Sequence, residues 1–230
     1  MSKYCINQNF NEASFEFTNI NANDVVVLVS SSEESFALPQ AIVIREVINR
    51  GAFVVSAKID NLGYVLSLLK VRPNFVITQS ILISKVIETI GNDINITTFS
   101  CLFAKFKGNF NVMLEGVKKL DTLKNGDKVL IVEGCIERSV CRGIGRNEIP
   151  SMIKSYTSKE LVFEFVSGGD FSSSLDDCVL VIHCGGCMLS KEEVLNRIDM
   201  CQSKNIPITN YGLAICKTKG LLDKVIKEII

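Results

Sequence analysis

The hydrophobic pattern of the first half alternates between short β-branched runs and longer stretches with apolar residues at helical spacing. The run DVVVLV at 24–29 is typical of a strand buried on both faces. The pattern predicts strands at 24–29, 52–57, 74–78 and 94–98, and helices at 38–49, 62–70, 80–90 and 110–120. Short strands that alternate with helices of about ten residues predict βαβ units and a parallel sheet.

A polar turn at 123–128, with an Asn-Gly pair, separates this half from the next. After it the pattern predicts strands at 129–132, 161–166 and 179–182, helices at 150–156 and 190–204, and a C-terminal helix from 221. Ser190 and Glu193 match a capping box at the start of the second of these helices. We therefore expect an α/β fold of two lobes, each with a mainly parallel sheet flanked by helices, at 1–122 and 123–230.

Charge and composition narrow the classes of function. The sequence has 25 Lys and Arg against 25 Asp and Glu, so it lacks the positive excess that non-specific nucleic-acid binding requires. No apolar run approaches the roughly 20 residues of a membrane span, and the first ten residues lack the apolar core of a secretory signal. We therefore expect a cytoplasmic protein that binds neither nucleic acid nor membrane. The sequence also contains no phosphate-binding loop of the GxxxxGK[ST] type.

The histidine and cysteine counts bear on metal and redox chemistry. The single histidine, His183, excludes a two-histidine metal site within one chain. Nine cysteines are an odd number and cannot all form disulfides within the chain. A chain of this size has room for a core that needs no disulfides, so we expect a reducing compartment. Each cysteine is then a buried packing residue, a redox group or a metal ligand, according to its position.

Three cysteines directly follow predicted strands of the second lobe. Cys135 comes after the strand at 129–132, and the Cys184-Gly-Gly-Cys187 motif comes after the strand at 179–182. If these strands are neighbours in a parallel sheet, the three thiols converge at its carboxyl edge, where such sheets bind ligands. Three thiolates suit zinc or an iron–sulfur cluster. A Cys-x-x-Cys pair alone also fits a thiol–disulfide redox site, with Cys135 as a small core residue.

Other polar residues flank this constellation. Glu137 lies two residues after Cys135, where its carboxylate would reach the same site, unless it is a solvated surface residue. His183 adjoins Cys184 as a ligand, as a residue that orients a ligand, or as a hydrogen-bonded histidine at a strand end. Cys141, with polar neighbours, is an alternative fourth thiolate. The remaining cysteines lie in apolar patterns and are expected to be packing residues: Cys5, Cys101, Cys178, Cys201 and Cys216.

Several segments of the sequence resemble the HydF family of FeFe-hydrogenase maturation factors. In the second half these are VLIVEGC (129–135), IGRNEIP (144–150), VIHCGGCML (181–189) and PITNYGLA (207–214). In the first half they are FALPQ (36–40), FVITQS (75–80) and EGVKKLD (115–121). The resemblance runs from about residue 24 to the end, and its most specific motif is HCGGCML.

The resemblance implies a fold organisation and a function. The family has a GTPase domain, a dimerisation domain and a domain that binds a 4Fe-4S cluster, and this sequence matches the latter two. Cysteines at the positions of Cys135, Cys184 and Cys187 hold the cluster in the family. Where the family has Cys-x-His, this sequence has Cys135-Ile-Glu137, so an oxygen ligand replaces a nitrogen ligand at the fourth position.

We therefore expect a homodimeric scaffold rather than an enzyme. By the resemblance, it binds a 4Fe-4S cluster and transiently holds or transfers the di-iron precursor of the hydrogenase active site. Its partners would be the apo FeFe-hydrogenase and the two radical enzymes of the same maturation pathway. The alternatives are a thiol–disulfide oxidoreductase that uses Cys184 and Cys187, and a structural zinc domain.

Overall fold

A computed structural model describes residues 20–31, 37–134, 143–167, 171–186, 189–227 and 229. It contains eight strands: β1 Val25–Ser30, β2 Phe53–Lys58, β3 Phe75–Thr78, β4 Asn95–Thr98, β5 Lys128–Glu133, β6 Val162–Ser167, β7 Cys178–His183 and β8 Ile208–Asn210. The described ranges also hold nine α-helices: α1 Ala37–Asn49, α2 Leu62–Leu68, α3 Ile83–Ile90, α4 Phe99–Lys107, α5 Phe110–Val117, α6 Ile149–Thr157, α7 Lys191–Ser203, α8 Tyr211–Thr218 and α9 Leu222–Ile226.

The strands form two four-stranded sheets of the same topology. Their orders are β2-β1-β3-β4 and β6-β5-β7-β8, and every strand pair is parallel. The predicted α/β fold with two parallel-sheet lobes is confirmed. In each sheet the first strand lies between the second and the third, so the strand order reverses there. In the second sheet this places β5 beside β7.

Each sheet has its most apolar strands at the centre. Val26–Val29 of β1 and Val129–Val132 of β5 have no solvent exposure. Parallel sheets are covered by helices on both faces, so their central strands bury both sets of side chains and need continuous apolar runs. This is why the β-branched runs predict the strands so closely.

Two helices, α4 and α8, were not predicted from the sequence. Both directly follow the last strand of a sheet, and both begin with a polar cap: the side chain of Thr98 accepts from the Cys101 amide, and that of Asn210 accepts from the Leu213 amide. Six of the nine residues of α4, and all of Tyr211–Cys216 in α8, are buried, and no residue of either helix is exposed. A helix buried on all sides lacks the polar stripe on which a periodicity analysis depends.

The two lobes meet through these helices. The helix α4 contacts α7 and α8 of the second lobe, and α5 packs against β8. A side-chain carbon on Gly116 of α5 would lie 2.0 Å from the carbonyl oxygen of Ile208, so the helix backbone lies directly on the strand. The helix α5 thus belongs structurally with the second sheet, whereas the expected domain boundary at 122/123 stays a prediction. None of the helices in the described ranges has the length and apolarity that crossing a membrane requires.

Candidate functional site

The candidate site lies at the carboxyl ends of β5 and β7, which are neighbours in the sheet. Val132 pairs with His183 in register, and the amide of Cys184 donates to the carbonyl oxygen of Val132 at 2.8 Å. One residue further, the amide of Gly134 donates to the sulfur of Cys184 at 3.0 Å. The strand adjacency on which the predicted cysteine site depends is therefore present.

Glycine at 134 allows this close approach. A side-chain carbon there would lie 3.0 Å from the Cys184 sulfur and 3.1 Å and 3.2 Å from two carbons of Leu189. Any larger residue would push the end of β5 away from the thiol. The backbone amide instead points at sulfur, which is the arrangement that stabilises a thiolate or a metal-bound sulfur.

The other predicted site residues of this edge lie outside the described residues: Cys135, Glu137, Cys141 and Cys187. Within the ranges that are described, no three His, Cys, Asp or Glu side chains form a group that could hold a metal ion. The donor set that includes Cys135 and Cys187 stays a prediction. The described part of the site fits it, because Cys184 offers a sulfur beside two glycines and an amide donor.

The Cys184 thiol is almost fully buried. Burial raises its pKa, as does the charge of Glu133 to a smaller extent. The amides of Gly186 and Gly134 and the charge of Arg197 act in the opposite direction, because all three favour the thiolate. Without a bound metal the thiol is therefore protonated at neutral pH, and binding of a metal would release this proton.

His183 is buried and has a partner at each ring nitrogen. Its Nδ1 lies 2.6 Å from the carbonyl oxygen of Cys184, and its Nε2 lies 2.7 Å from a guanidinium nitrogen of Arg197. Because guanidinium only donates, Nε2 accepts and Nδ1 carries the proton that it donates to Cys184. Burial, followed by the charge of Arg197, lowers the pKa of His183 to about 4, so the ring is neutral at pH 7. In this geometry His183 orients the Cys184 backbone, and a metal would have to displace Arg197 to bind Nε2.

A buried carboxylate ends β5 immediately before the glycine. Glu133 accepts from Arg146 Nε at 3.1 Å and from a terminal guanidinium nitrogen at 3.5 Å, and the hydroxyl of Ser167 also donates to it. The guanidinium of Arg146 lies over the ring of Phe165, 5.5 Å from its centroid. These contacts tie the end of β5 to the turn at 144–148 and to the end of β6.

Helix α7 follows Cys184 in the chain and begins with the predicted capping box. The side chain of Ser190 accepts from the Glu193 amide at 3.1 Å, and the Glu193 carboxylate accepts from the Ser190 amide at 2.8 Å. This second bond is the main reason that the pKa of Glu193 is lowered. The capping box is confirmed, and it fixes where the chain leaves residues 184–189, which we call the cysteine loop.

Two cations at this site were missed by the sequence analysis. Arg197 of α7 contacts His183 and lies over the ring of Phe171, 5.6 Å from its centroid. Lys107, the last residue of α4, is 6 % exposed and donates to two carbonyl oxygens of the cysteine loop. No local motif indicates Lys107, because it lies more than seventy residues before the loop that it contacts.

The cysteines expected to be packing residues are buried where the structure describes them: Cys101, Cys178, Cys201 and Cys216. Cys101 and Cys216 lie on the contacting helices α4 and α8, and their thiols interact with each other. Burial raises the pKa of Cys201 to about 12. All four thiols are buried, which is typical of packing cysteines. The remaining one, Cys5, lies outside the described residues.

Comparison with protein families gives two matches that together span nearly the whole chain. Residues 18–108 match the hydrogen maturase F dimerization domain, and residues 111–228 match the hydrogen maturase F tetramerization domain. The two matches meet between α4 and α5. No curated protein matches the sequence.

Solved structures give only distant similarities. A periplasmic ribose ABC transporter from Conexibacter woesei is 13% identical over 81% of this chain and 70% of its own, with a TM-score of 0.30. An NtrC family transcriptional regulator from Clostridium acetobutylicum is 8% identical over 87% of this chain and 97% of its own, with a TM-score of 0.28. TM-scores this low support no conclusion about fold or function.

Proposed function

Because the chain belongs to the HydF family of hydrogenase maturation proteins, we propose that it is a carrier that binds a 4Fe-4S cluster. In this proposal the same site holds, or passes on, the di-iron precursor of the FeFe-hydrogenase active site. The two matched domains are association domains, which supports a scaffold rather than a catalytic role.

One observation carries the cluster proposal. The amide of Gly134 lies 3.0 Å from the Cys184 sulfur across two neighbouring strands, and Cys135 is the next residue in the sequence. Cys187 follows Cys184 by three residues. The carboxyl ends of the strands, at the point where the strand order reverses, are also the usual ligand site of parallel α/β folds.

In the proposed site, Cys135, Cys184 and Cys187 hold three irons as thiolates. When bound, such a cluster supplies a fourth iron without a thiolate, to which another ligand can attach. The chain's own contribution is to bury the Cys184 sulfur, to donate the Gly134 amide to it, and to orient its backbone through His183. A thiol–disulfide oxidoreductase is disfavoured, because reactive cysteines are exposed and have lowered pKa values, whereas Cys184 is buried and its pKa is raised.

Anaerobic reconstitution with ferrous iron and sulfide tests this proposal. The protein should become brown and bind about four irons per chain, in a cluster that becomes paramagnetic when it is reduced. Replacing Cys135, Cys184 or Cys187 by Ser should remove most of the iron, whereas Cys101→Ser, at a buried packing position, should not. Equal iron in all four variants contradicts the proposal. A colourless protein with one tightly held zinc would instead establish the structural zinc alternative.

We further propose Glu137 as the fourth, exchangeable ligand. A carboxylate oxygen is a hard ligand and binds the soft iron site less firmly than a thiolate does. The Glu137→Ala protein should keep its iron, because three thiolates remain, but change the EPR line shape of the reduced cluster and exchange imidazole faster. If neither changes, Glu137 is not the ligand, and Cys141→Ser tests the alternative thiolate.

Self-association of the family's domains suggests where copies of this chain meet. We propose that the outer edge of β2 pairs with a second copy, because unpaired strand edges readily add strands. Large apolar side chains are exposed on β2, on the neighbouring helices α1 and α2, and just beyond them: Ile48, Phe53, Tyr64, Leu68 and Val71.

A charge on this edge tests the proposed dimer. Phe53 is 59 % exposed, so Phe53→Lys should not disturb the fold of the chain. Light scattering should show that the variant is a monomer rather than a dimer. The matched control is Met200→Lys, which adds the same charge at a 43 % exposed position of α7. Dimers that persist in Phe53→Lys would place the interface elsewhere. The same variants, tested for binding to apo FeFe-hydrogenase and the two radical enzymes, show whether those partners need the dimer.

A further inference from the structure

Lys107 is a buried lysine at the end of α4, and its contacts lie in the cysteine loop. Lysines are almost never fully buried unless their ammonium group is well partnered. The Lys107 ammonium donates to the carbonyl oxygen of Leu189 at 2.7 Å and to that of Gly186 at 3.3 Å. It also lies over the ring of Phe103, 5.5 Å from the centroid.

The two carbonyl groups flank the segment that contains Cys187. The Leu189 amide donates to the Gly186 carbonyl oxygen at 3.1 Å, so the two ends of the segment 186–189 are hydrogen-bonded to each other. The Lys107 ammonium contacts both of these ends. A single cation therefore holds the start and the end of the segment together.

This contact also crosses the boundary between the two family domains. Lys107 lies in the segment 18–108 that matches the dimerization domain, and the cysteine loop lies in the segment 111–228. We propose that Lys107 is a positioning residue through which the first lobe holds the cysteine loop of the second. The cysteine site is then complete only when α4 is docked. The effect of Lys107 on a cluster rests on the proposed function, whereas its effect on the cysteine loop does not.

Hydrogen exchange of the 230-residue chain without metal tests the loop contact directly. Lys107→Met keeps an apolar stem but removes the charged donor, so the hydrogen-bonded amides of Leu189 and Ser190 should exchange about tenfold faster or more. Lys107→Arg keeps charged donors and should remain within about threefold of the wild type. The control, Lys118→Met, changes a lysine whose side chain is 60% exposed and should leave this exchange unchanged.

Each result decides the proposal. Unchanged exchange in Lys107→Met would show that only the stem packs, and equally fast exchange in Lys107→Arg would show that charged donors do not hold the loop; either overturns it. If circular dichroism shows that Lys107→Met does not fold, Lys107→Gln, which keeps one neutral donor, replaces it in the same comparison.

Reconstitution with ferrous iron and sulfide then connects the loop to the cluster. Lys107→Met should bind less iron and give an altered EPR line shape, and Lys107→Arg should restore both. A wild-type protein that binds no iron refutes the proposed function but leaves the exchange result standing. Unchanged exchange refutes the positioning role whatever the iron content.

Discussion

The Gly134→Ala substitution perturbs the cysteine site at its closest approach. The added methyl group would lie 3.0 Å from the Cys184 sulfur and 3.1 Å from a terminal carbon of Leu189. Carbon atoms pack best at about 3.5–4.0 Å, so the end of β5 and the cysteine loop must separate by roughly half an ångström. The hydrogen bond from the Gly134 amide to the Cys184 sulfur would lengthen with them.

Overpacking of this kind costs about 1–3 kcal/mol of unfolding free energy, which urea titration of the protein without metal would measure. Iron binding after reconstitution should also fall, because the two strand ends no longer approach each other closely. Gly143→Ala is a matched control: its backbone is helical and no atom lies within 4 Å of the added carbon. The reasoning is refuted if Gly134→Ala is as stable and binds as much iron as Gly143→Ala.

Three further predictions concern the surroundings of the site. The side chain of Glu133 is 3% exposed and that of its partner Arg146 is 42% exposed. Arg146→Met leaves the buried carboxylate without this cation, so it should lower the unfolding free energy in urea titration by about 2–4 kcal/mol. Glu133→Gln, which removes the buried charge itself, should cost less. The Lys217 ammonium hydrogen-bonds Asp121 and lowers the pKa of that carboxyl, so Asp121→Asn should lose roughly 0.5–1 kcal/mol at pH 7. That difference in stability should vanish as acid protonates Asp121 below about pH 4. A carboxyl whose pKa is lowered in the folded state stabilises the fold only while it is ionised. Thr98→Ala removes the cap of α4 and should lower the unfolding free energy by about 1 kcal/mol, which thermal unfolding would show as a lower midpoint.

The sequence was most informative where one periodicity or one continuous run decides the structure. The central strands and the capping box of Ser190 and Glu193 follow from local patterns, and the adjacency of β5 and β7 follows from general rules for parallel sheets. By contrast, no residue of α4 or α8 is exposed, because both helices pack where the two lobes meet. Only the packing of the lobes determines that these segments are helices.

The same limit applies to the polar groups that hold the cysteine loop. Arg197 and Lys107 act on His183 and on backbone carbonyl groups that lie far from them in sequence. A lysine in an apolar segment normally extends its ammonium to water, so nothing in the residues around position 107 predicts a buried cation. Such contacts depend on three-dimensional packing and leave no spacing to recognise.

The packing of α5 on β8 has a consequence for the symmetry of any assembly. Helix α5 lies on the backbone of β8 and α9 contacts β4, whereas within the described ranges no strand pairs with the outer side of β2 or β6. Each lobe therefore offers one strand edge for contact with another copy. Two such contacts, each made by identical surfaces, close into a tetramer only if their two-fold axes intersect at right angles, and axes that do not intersect produce an open filament. The angle between the two sheets, which α5 helps to set, thus decides whether assembly ends at four chains.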